Sequence, residues 1–213
     1  MKNFIQIILC ITVICGNTTF SQAKDGLKNE DGKSIISKQI LIIGLNDNIK
    51  SNYFYDEMIA EESGIKQDSL NIKYNNIITD NISSCSKYKY FLSTNTFQYS
   101  KIIEKIKTKG EDEEKYSDIS SIQTSELQSM LNQENAEYLL ILNQHYLKWQ
   151  ETPYRTIFHF ISYSLFDKNK KEIYRGNNYF TCVNLGDAEQ IKKMSKKCSA
   201  KIAESVFKAI NRY

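Results

Sequence analysis

The pattern of apolar and polar positions is clearest in the carboxy-terminal part of the chain, which reads as three consecutive strands at 137–149, 155–166 and 172–182. Polar segments of hairpin length, 150–154 and 167–171, separate them. Apolar side chains fall at odd positions (Leu139, Ile141, Leu147, Ile157, Ile161) and at even ones (Leu140, Leu142, Phe158, Phe160), so both faces of this meander are covered. A helix follows from Asp187 to about Asn211. Ile191, Met194, Cys198, Ile202 and Val206 recur every three or four residues in one stripe, and Asp187 with Gln190 forms a capping-box pattern. This helix is expected to dock on the sheet.

Upstream, the continuous apolar run 39–45 fits a strand covered on both faces. Residues 52–63 predict a short helix with Phe54, Met58 and Ile59 inward, ended by Gly64. Ile78, Ile82 and Cys85 give helical spacing over 72–84, and 87–93 reads as a second strand. Within 95–123 the pattern weakens. Tyr99, Ile102, Ile103 and Ile106 suggest one short helix, and the acidic stretch after Gly110 (Glu111, Asp112, Glu113, Glu114) is too charged to bury, so this segment reads as a surface insertion. Order resumes at 125–132, where Thr124 or Ser125 can cap a helix with Leu127, Met130 and Leu131 inward. The whole predicts an α/β fold: a mixed sheet of about five strands, in the order strand, helix, strand, helix, three-strand meander, helix. Coverage of both sheet faces favours a three-layer or strongly wrapped sandwich over an open two-layer one.

The amino terminus sets the compartment. Lys2 precedes an apolar run, 4–15, too short to span a bilayer, and Ser21-Gln22-Ala23 offers small residues where signal peptidase reads them. Residues 1–23 therefore read as a signal peptide cleaved near Ala23, residues 24–38 as a disordered leader, and 39–213 as a single domain that is periplasmic or secreted. Cys15 would be the acceptor for a lipid anchor, but the bulky Ile14 before it disfavours that route. Cleavage removes one lysine and two cysteines, leaving 27 basic against 25 acidic side chains and three cysteines. Near-neutral charge selects no partner class. Cys182 and Cys198 lie too far apart along strand and helix to bridge, which leaves Cys198, with Cys85, as small core residues. No apolar run of the mature chain reaches transmembrane length.

Four stretches carry a resemblance: Ile40–Leu45 as first strand, 77–92 as helix into second strand, 135–141 leading the meander, and 166–176 (Phe-Asp-Lys-Asn-Lys-Lys-Glu-Ile-Tyr-Arg-Gly) as its last turn. This order of elements resembles the amino-terminal domain of the Tol system protein TolB and the related envelope lipoproteins that activate penicillin-binding proteins or build the curli secretion channel. In such domains the last turn usually carries a glycine; here Lys170 or Lys171 stands in its place. The resemblance implies a binding or assembly part of the cell envelope, with an envelope protein as partner and no catalytic residues to carry over.

The chemistry-bearing residues point the same way. Nucleotide-binding, zinc-protease, C-x-x-C and G-x-S-x-G signatures are missing, and carboxylates in a mobile acidic loop cannot hold the separation that acid–base catalysis needs. The expected function is a non-catalytic interaction module without a cofactor. Trp149, Tyr154 and Arg155 flank the first hairpin turn and are the candidate partner-binding residues, since Trp, Tyr and Arg commonly anchor interfaces. The alternative is a small-ligand carrier walled by Tyr146, Trp149, Tyr154, Phe158, Phe160 and Tyr163. A turn centred on Thr152 would place His145 directly opposite His159, with Asn143 and Ile161 alongside and no Cys, Asp or Glu near. Such a pair suits packing better than metal binding. The closing helix presents Lys192, Lys193, Lys196, Lys197, Lys201, Lys208 and Arg212 outward, without the aromatic interleaving that nucleic acid needs.

Overall fold

The run of Ile, Leu, Ile and Ile before Gly44 offers water nothing polar, and in the computed structural model it lies fully buried in mid-sheet as β1 (Ile40–Gly44). The structure describes residues 39–85, 90–93 and 96–213. The signal peptide, the leader, Cys15 and the first part of the strand expected at 87–93 lie outside the described residues. After β1 come β2 (Ile49–Ser51), α1 (Asp56–Ser63), α2 (Leu70–Ser83), β3 (Phe91–Ser93) and α3 (Ser100–Ile103). Then follow β4 (Lys107–Lys109), β5 (Tyr116–Asp118), α4 (Thr124–Gln133), β6 (Tyr138–Gln150), β7 (Thr156–Asp167), β8 (Glu172–Cys182) and α5 (Ala188–Arg212).

The main sheet is mixed and has six strands. β1 pairs in parallel with β3 on one side and β6 on the other, and β6, β7 and β8 form an antiparallel meander. The sixth strand is β2, which pairs in parallel with β6 beyond the end of β1. Helices α1, α2 and α5 close a core with Ile40, Ile42, Leu140, Ile161 and Leu165 on one face. Residues of α3 and α4 close a second core with Leu41, Ile43, Leu139 and Ile141 on the other. The arrangement is thus the expected α/β sandwich, with the long last helix packed on the sheet.

Two local features redirect side chains. The β6–β7 register shifts between Leu142 and Gln144, so Asn143 is the extra residue of a bulge. One added residue reverses the pleat, and Leu147 therefore shares a core with Leu140 and Leu142, not with Leu139 and Ile141 as the alternation suggested. The segment read as a surface insertion is also half core: Tyr99, Ile103, Ile119 and Ile122 are buried against α4. Its β4–β5 hairpin is pinned where the Ser117 hydroxyl donates to Asn143 Oδ1 at 2.6 Å and the Ser117 N–H to Ser164 Oγ at 3.2 Å. The acidic turn is docked as well. Lys148 Nζ donates to Glu113 Oε1 at 3.0 Å, and Asn177 Nδ2 donates to the Glu113 carbonyl.

Helix ends follow their chemistry. Asp187 caps α5 and completes a capping box with Gln190, as expected. For α4 the cap is Gln123, paired with Glu126, one residue before the expected hydroxyls. Gly64 ends α1 in the left-handed region at φ 66°. At the last turn Lys170 occupies the place where glycine is usual, with φ 68°. Its ammonium donates to the carbonyls of Ser120 and Ile122, contacts glycine could not supply.

Candidate functional site

The β6–β7 loop, Glu151 to Arg155, sits at one end of the meander, and the side chains at its base are fixed in place. Trp149 stacks on Tyr53 at 5.5 Å between ring centroids and meets Phe54 edge-on at 5.8 Å. The Arg155 guanidinium lies 5.3 Å from the Trp149 ring centre. The backbone is clamped too: the Trp149 N–H donates to Asn52 Oδ1 at 2.7 Å and Asn52 Nδ2 donates to the Trp149 carbonyl. Beside this ordered base, Tyr154 is 80 % exposed, Tyr55 73 % and Tyr53 54 %. The structure thus brings Trp149 and Arg155 into contact and leaves Tyr154 in solvent.

The two histidines share a face, but in a different register from the one expected. His145 pairs with Ile161 and His159 with Leu147, so the turn is centred on Pro153 and the rings meet diagonally. β6 stays paired one residue longer than the hydrophobic pattern suggests, through Gln150, because β2 and Asn52 hold its outer edge. His145 Nε2 is 3.1 Å from His159 Nδ1, and His159 Nε2 is 3.1 Å from Cys182 Sγ. A cysteine does therefore adjoin the pair. Asn143 does not: the bulge turns it to the opposite face, where its Nδ2 donates to the Lys115 carbonyl and to Ser164 Oγ.

With the Cys182 thiol aimed at the Ile157 carbonyl, His159 donates from Nε2 to sulfur and accepts at Nδ1 from His145. His145 Nδ1 is then a bare buried nitrogen next to Tyr74, whose hydroxyl is likewise buried without a partner. Burial pushes His145 down to about 3, while His159 is held well below its ordinary value by burial and by His145. Burial pushes the Cys182 thiol up to about 12, so it is neither a thiolate nor an activated nucleophile. Both His159 nitrogens are already engaged. His145 and Cys182 lie on opposite sides of that ring, and among the described residues no group of three or more His, Cys, Asp or Glu side chains could hold a metal ion. Cys85, Cys182 and Cys198 are all free.

The aromatic residues considered as pocket walls divide between the two sheet faces. Tyr163 is fully buried under α5 and Trp149 packs at the edge of the same core, whereas Phe158 and Phe160 stack with Tyr179 on the other side. Only Tyr146 among them lines a sizeable cleft, of about 650 Å³, at the carboxyl end of β1. Asp47, Asn48, Lys50, Glu104 and Asp112 also line it. Burial, and then the Asp112 carboxylate, raise the Tyr146 phenol above its ordinary value. The cleft floor is held by Asn75, which donates to the Leu45 carbonyl and accepts from Asn48; a Cβ at Gly44 would sit 2.3 Å from the Asn75 side chain.

The chain matches several solved structures at low sequence identity. It is similar to the solved PelC dodecamer from Paraburkholderia phytofirmans, at 7% identity over 83% of this chain and 90% of that one, with a TM-score of 0.38. The hypothetical protein CT253 from Chlamydia trachomatis matches at 12% identity over 79% and 95%, with a TM-score of 0.45. Lipoprotein GNA1162 from Neisseria meningitidis matches at 10% identity over 78% and 99%, with a TM-score of 0.35. No family model and no curated protein matches the chain. The resemblance to the TolB-type domain accordingly rests on the order of elements alone.

Sequence reasoning missed Tyr53 as a neighbour of Trp149, and Cys182 as a neighbour of the histidines. The first had a legible signal. Asp56 and Glu57 are acidic residues suited to the first turn of a helix, so α1 starts at Asp56 and leaves 52–55 as a loop in which Tyr53 and Tyr55 are exposed and Phe54 is buried. The second had none, because it depends on the β7–β8 register, in which Cys182 pairs with Ile157.

Proposed function

We propose that this chain is a non-catalytic docking module of the cell envelope that binds a partner protein through the Trp149, Tyr154 and Arg155 tip together with Tyr53 and Tyr55. The observation that carries the reading is Tyr154, 80 % exposed beside a Trp149 ring immobilised by Tyr53, Phe54 and Arg155. Rigid aromatic anchors lose little conformational freedom on binding, which is why Trp, Tyr and Arg dominate interface energetics. Burial lowers the basicity of both histidines and keeps the Cys182 thiol un-ionised, which makes them weak as general bases and nucleophile and supports a non-catalytic reading. A photo-crosslinking residue at position 154 should capture one envelope protein, and Trp149→Ala should reduce the yield at least tenfold. Unchanged capture by Trp149→Ala, with the same residue at exposed Glu189 giving the same product, would overturn the reading.

A second reading, a carrier of a small polar ligand, is favoured by one observation: the polar cleft lies outside the carboxyl end of β1, between parallel neighbours whose connecting helices lie on opposite faces. Open α/β sheets bind ligands at such a switch point. A thermal shift on a panel of envelope metabolites separates the two, since a carrier stiffens with a small ligand and a docking module does not.

A further inference from the structure

We propose that the outer face of α5 is a docking surface for anionic phospholipid headgroups. Ile191, Cys198, Ile202 and Val206 bury one stripe of this 25-residue helix against the sheet. On the exposed side stand Lys193, Lys196, Lys197 and Lys201. Their spacing of three and four residues places the four ammonium groups along about 12 Å of helix axis, on one side. None of the four makes an ion pair among the described residues; the one salt bridge within the helix joins Lys208 to Glu204 at 2.8 Å, a turn and more beyond. Like charges at these spacings oppose the helix they sit on. Folding does not require them, because α5 is already secured by its Asp187 cap and its buried stripe. Glu189 and Glu204 offset part of this repulsion from within the helix, and an anionic surface against the exposed face would offset the rest.

The shape of the patch chooses the surface. The face is convex, without a groove to follow a polymer, and it carries no exposed aromatic side chain to stack on sugars or bases. All four cations are lysines. Point charges of that kind suit diffuse attraction to a plane of phosphates, whereas planar bidentate recognition calls for arginine. Exposed apolar side chains are also missing from this face, so the contact is peripheral, held by charge and weakened by salt. Among the described residues no helix is long and apolar enough to cross a membrane. The inference does not rest on the docking role of the tip.

The test is flotation of the full chain with vesicles of phosphatidylcholine alone and vesicles containing about 30 % phosphatidylglycerol, read as the ratio of the two partition coefficients, which cancels any apolar contribution. Each lysine near an anionic surface adds about fivefold to partitioning. The ratio should therefore exceed one hundred in dilute buffer, approach unity in strong salt, and drop at least a hundredfold in a K193E/K196E/K197E/K201E variant whose circular dichroism is unchanged. A control with Lys66, Lys101 and Lys168 reversed, all exposed on other surfaces, should stay within about threefold of the native ratio. A ratio near unity for the native chain, or a quadruple variant that keeps its preference, overturns the proposal. So does tighter binding to polyphosphate than to the anionic vesicles at equal phosphate concentration, which would assign the face to a soluble polyanion. Should the quadruple variant misfold, K196E and K201E singly must each lower the ratio, and no loss from either counts against it.

Discussion

His145 and His159 are buried among Tyr74, Phe180 and Cys182, and among the described residues no carboxylate contacts either ring to hold a proton on it. Both are neutral in the folded chain, with His145 titrating near 3 and His159 well below its usual range, and both are free to protonate near 6.5 once unfolded. Below that pH the unfolded state binds more protons, so stability falls as pH falls toward the folded values. At pH 5 His145 removes about 2 kcal/mol, and His159 acts in the same direction. Urea unfolding at pH 7, 6 and 5 should show this loss, and His145→Phe should flatten the profile; an unchanged slope in that variant would mean the ring is not buried neutral. The pair was visible in the sequence as two histidines one hairpin apart on one face. Their diagonal contact and the cysteine beside them were not, because each depends on a register fixed by distant backbone.

At the scale of elements, the bulge residue Asn143 joins three segments: it accepts from Ser117 of β5, and donates to the Lys115 carbonyl and to Ser164 of β7. Deleting its amide leaves buried groups unpaired, at about 1–3 kcal/mol for the group. Asn143→Ala should destabilise by about that amount and raise amide exchange selectively over 107–118; uniform exchange would show the hairpin to be held by other contacts. Strands and helices with a strong period were legible, namely β6, β7, β8, α2 and α5, to within two residues at their ends. The short pieces β2, β4 and β5 were not. Three residues are fewer than two repeats of a strand's alternation, and their pairing partners lie far along the chain.

For the molecule as a whole, the tip should separate binding from stability. Tyr154 is exposed and makes no aromatic contact among the described residues, so Tyr154→Ala should change unfolding free energy by less than about 0.5 kcal/mol. Trp149 packs on Tyr53 and Phe54 at the margin of the core, so Trp149→Ala should cost about 2–3 kcal/mol, below a fully buried tryptophan. Chemical denaturation of both variants checks this, and a Tyr154→Ala loss as large as that of Trp149→Ala would show that the loop folds back on the protein. The sequence by itself determined the α/β class, the meander and its closing helix, because hydrophobic period is written residue by residue and survives without knowledge of neighbours. Only the tertiary structure decided which core Leu147 joins, that part of 98–123 is buried, that Cys182 meets His159, and that Tyr53 and Phe54 from the β2–α1 loop pack on Trp149. Each of these turns on pairing between distant segments, where one bulge or one extra paired residue re-aims every side chain that follows.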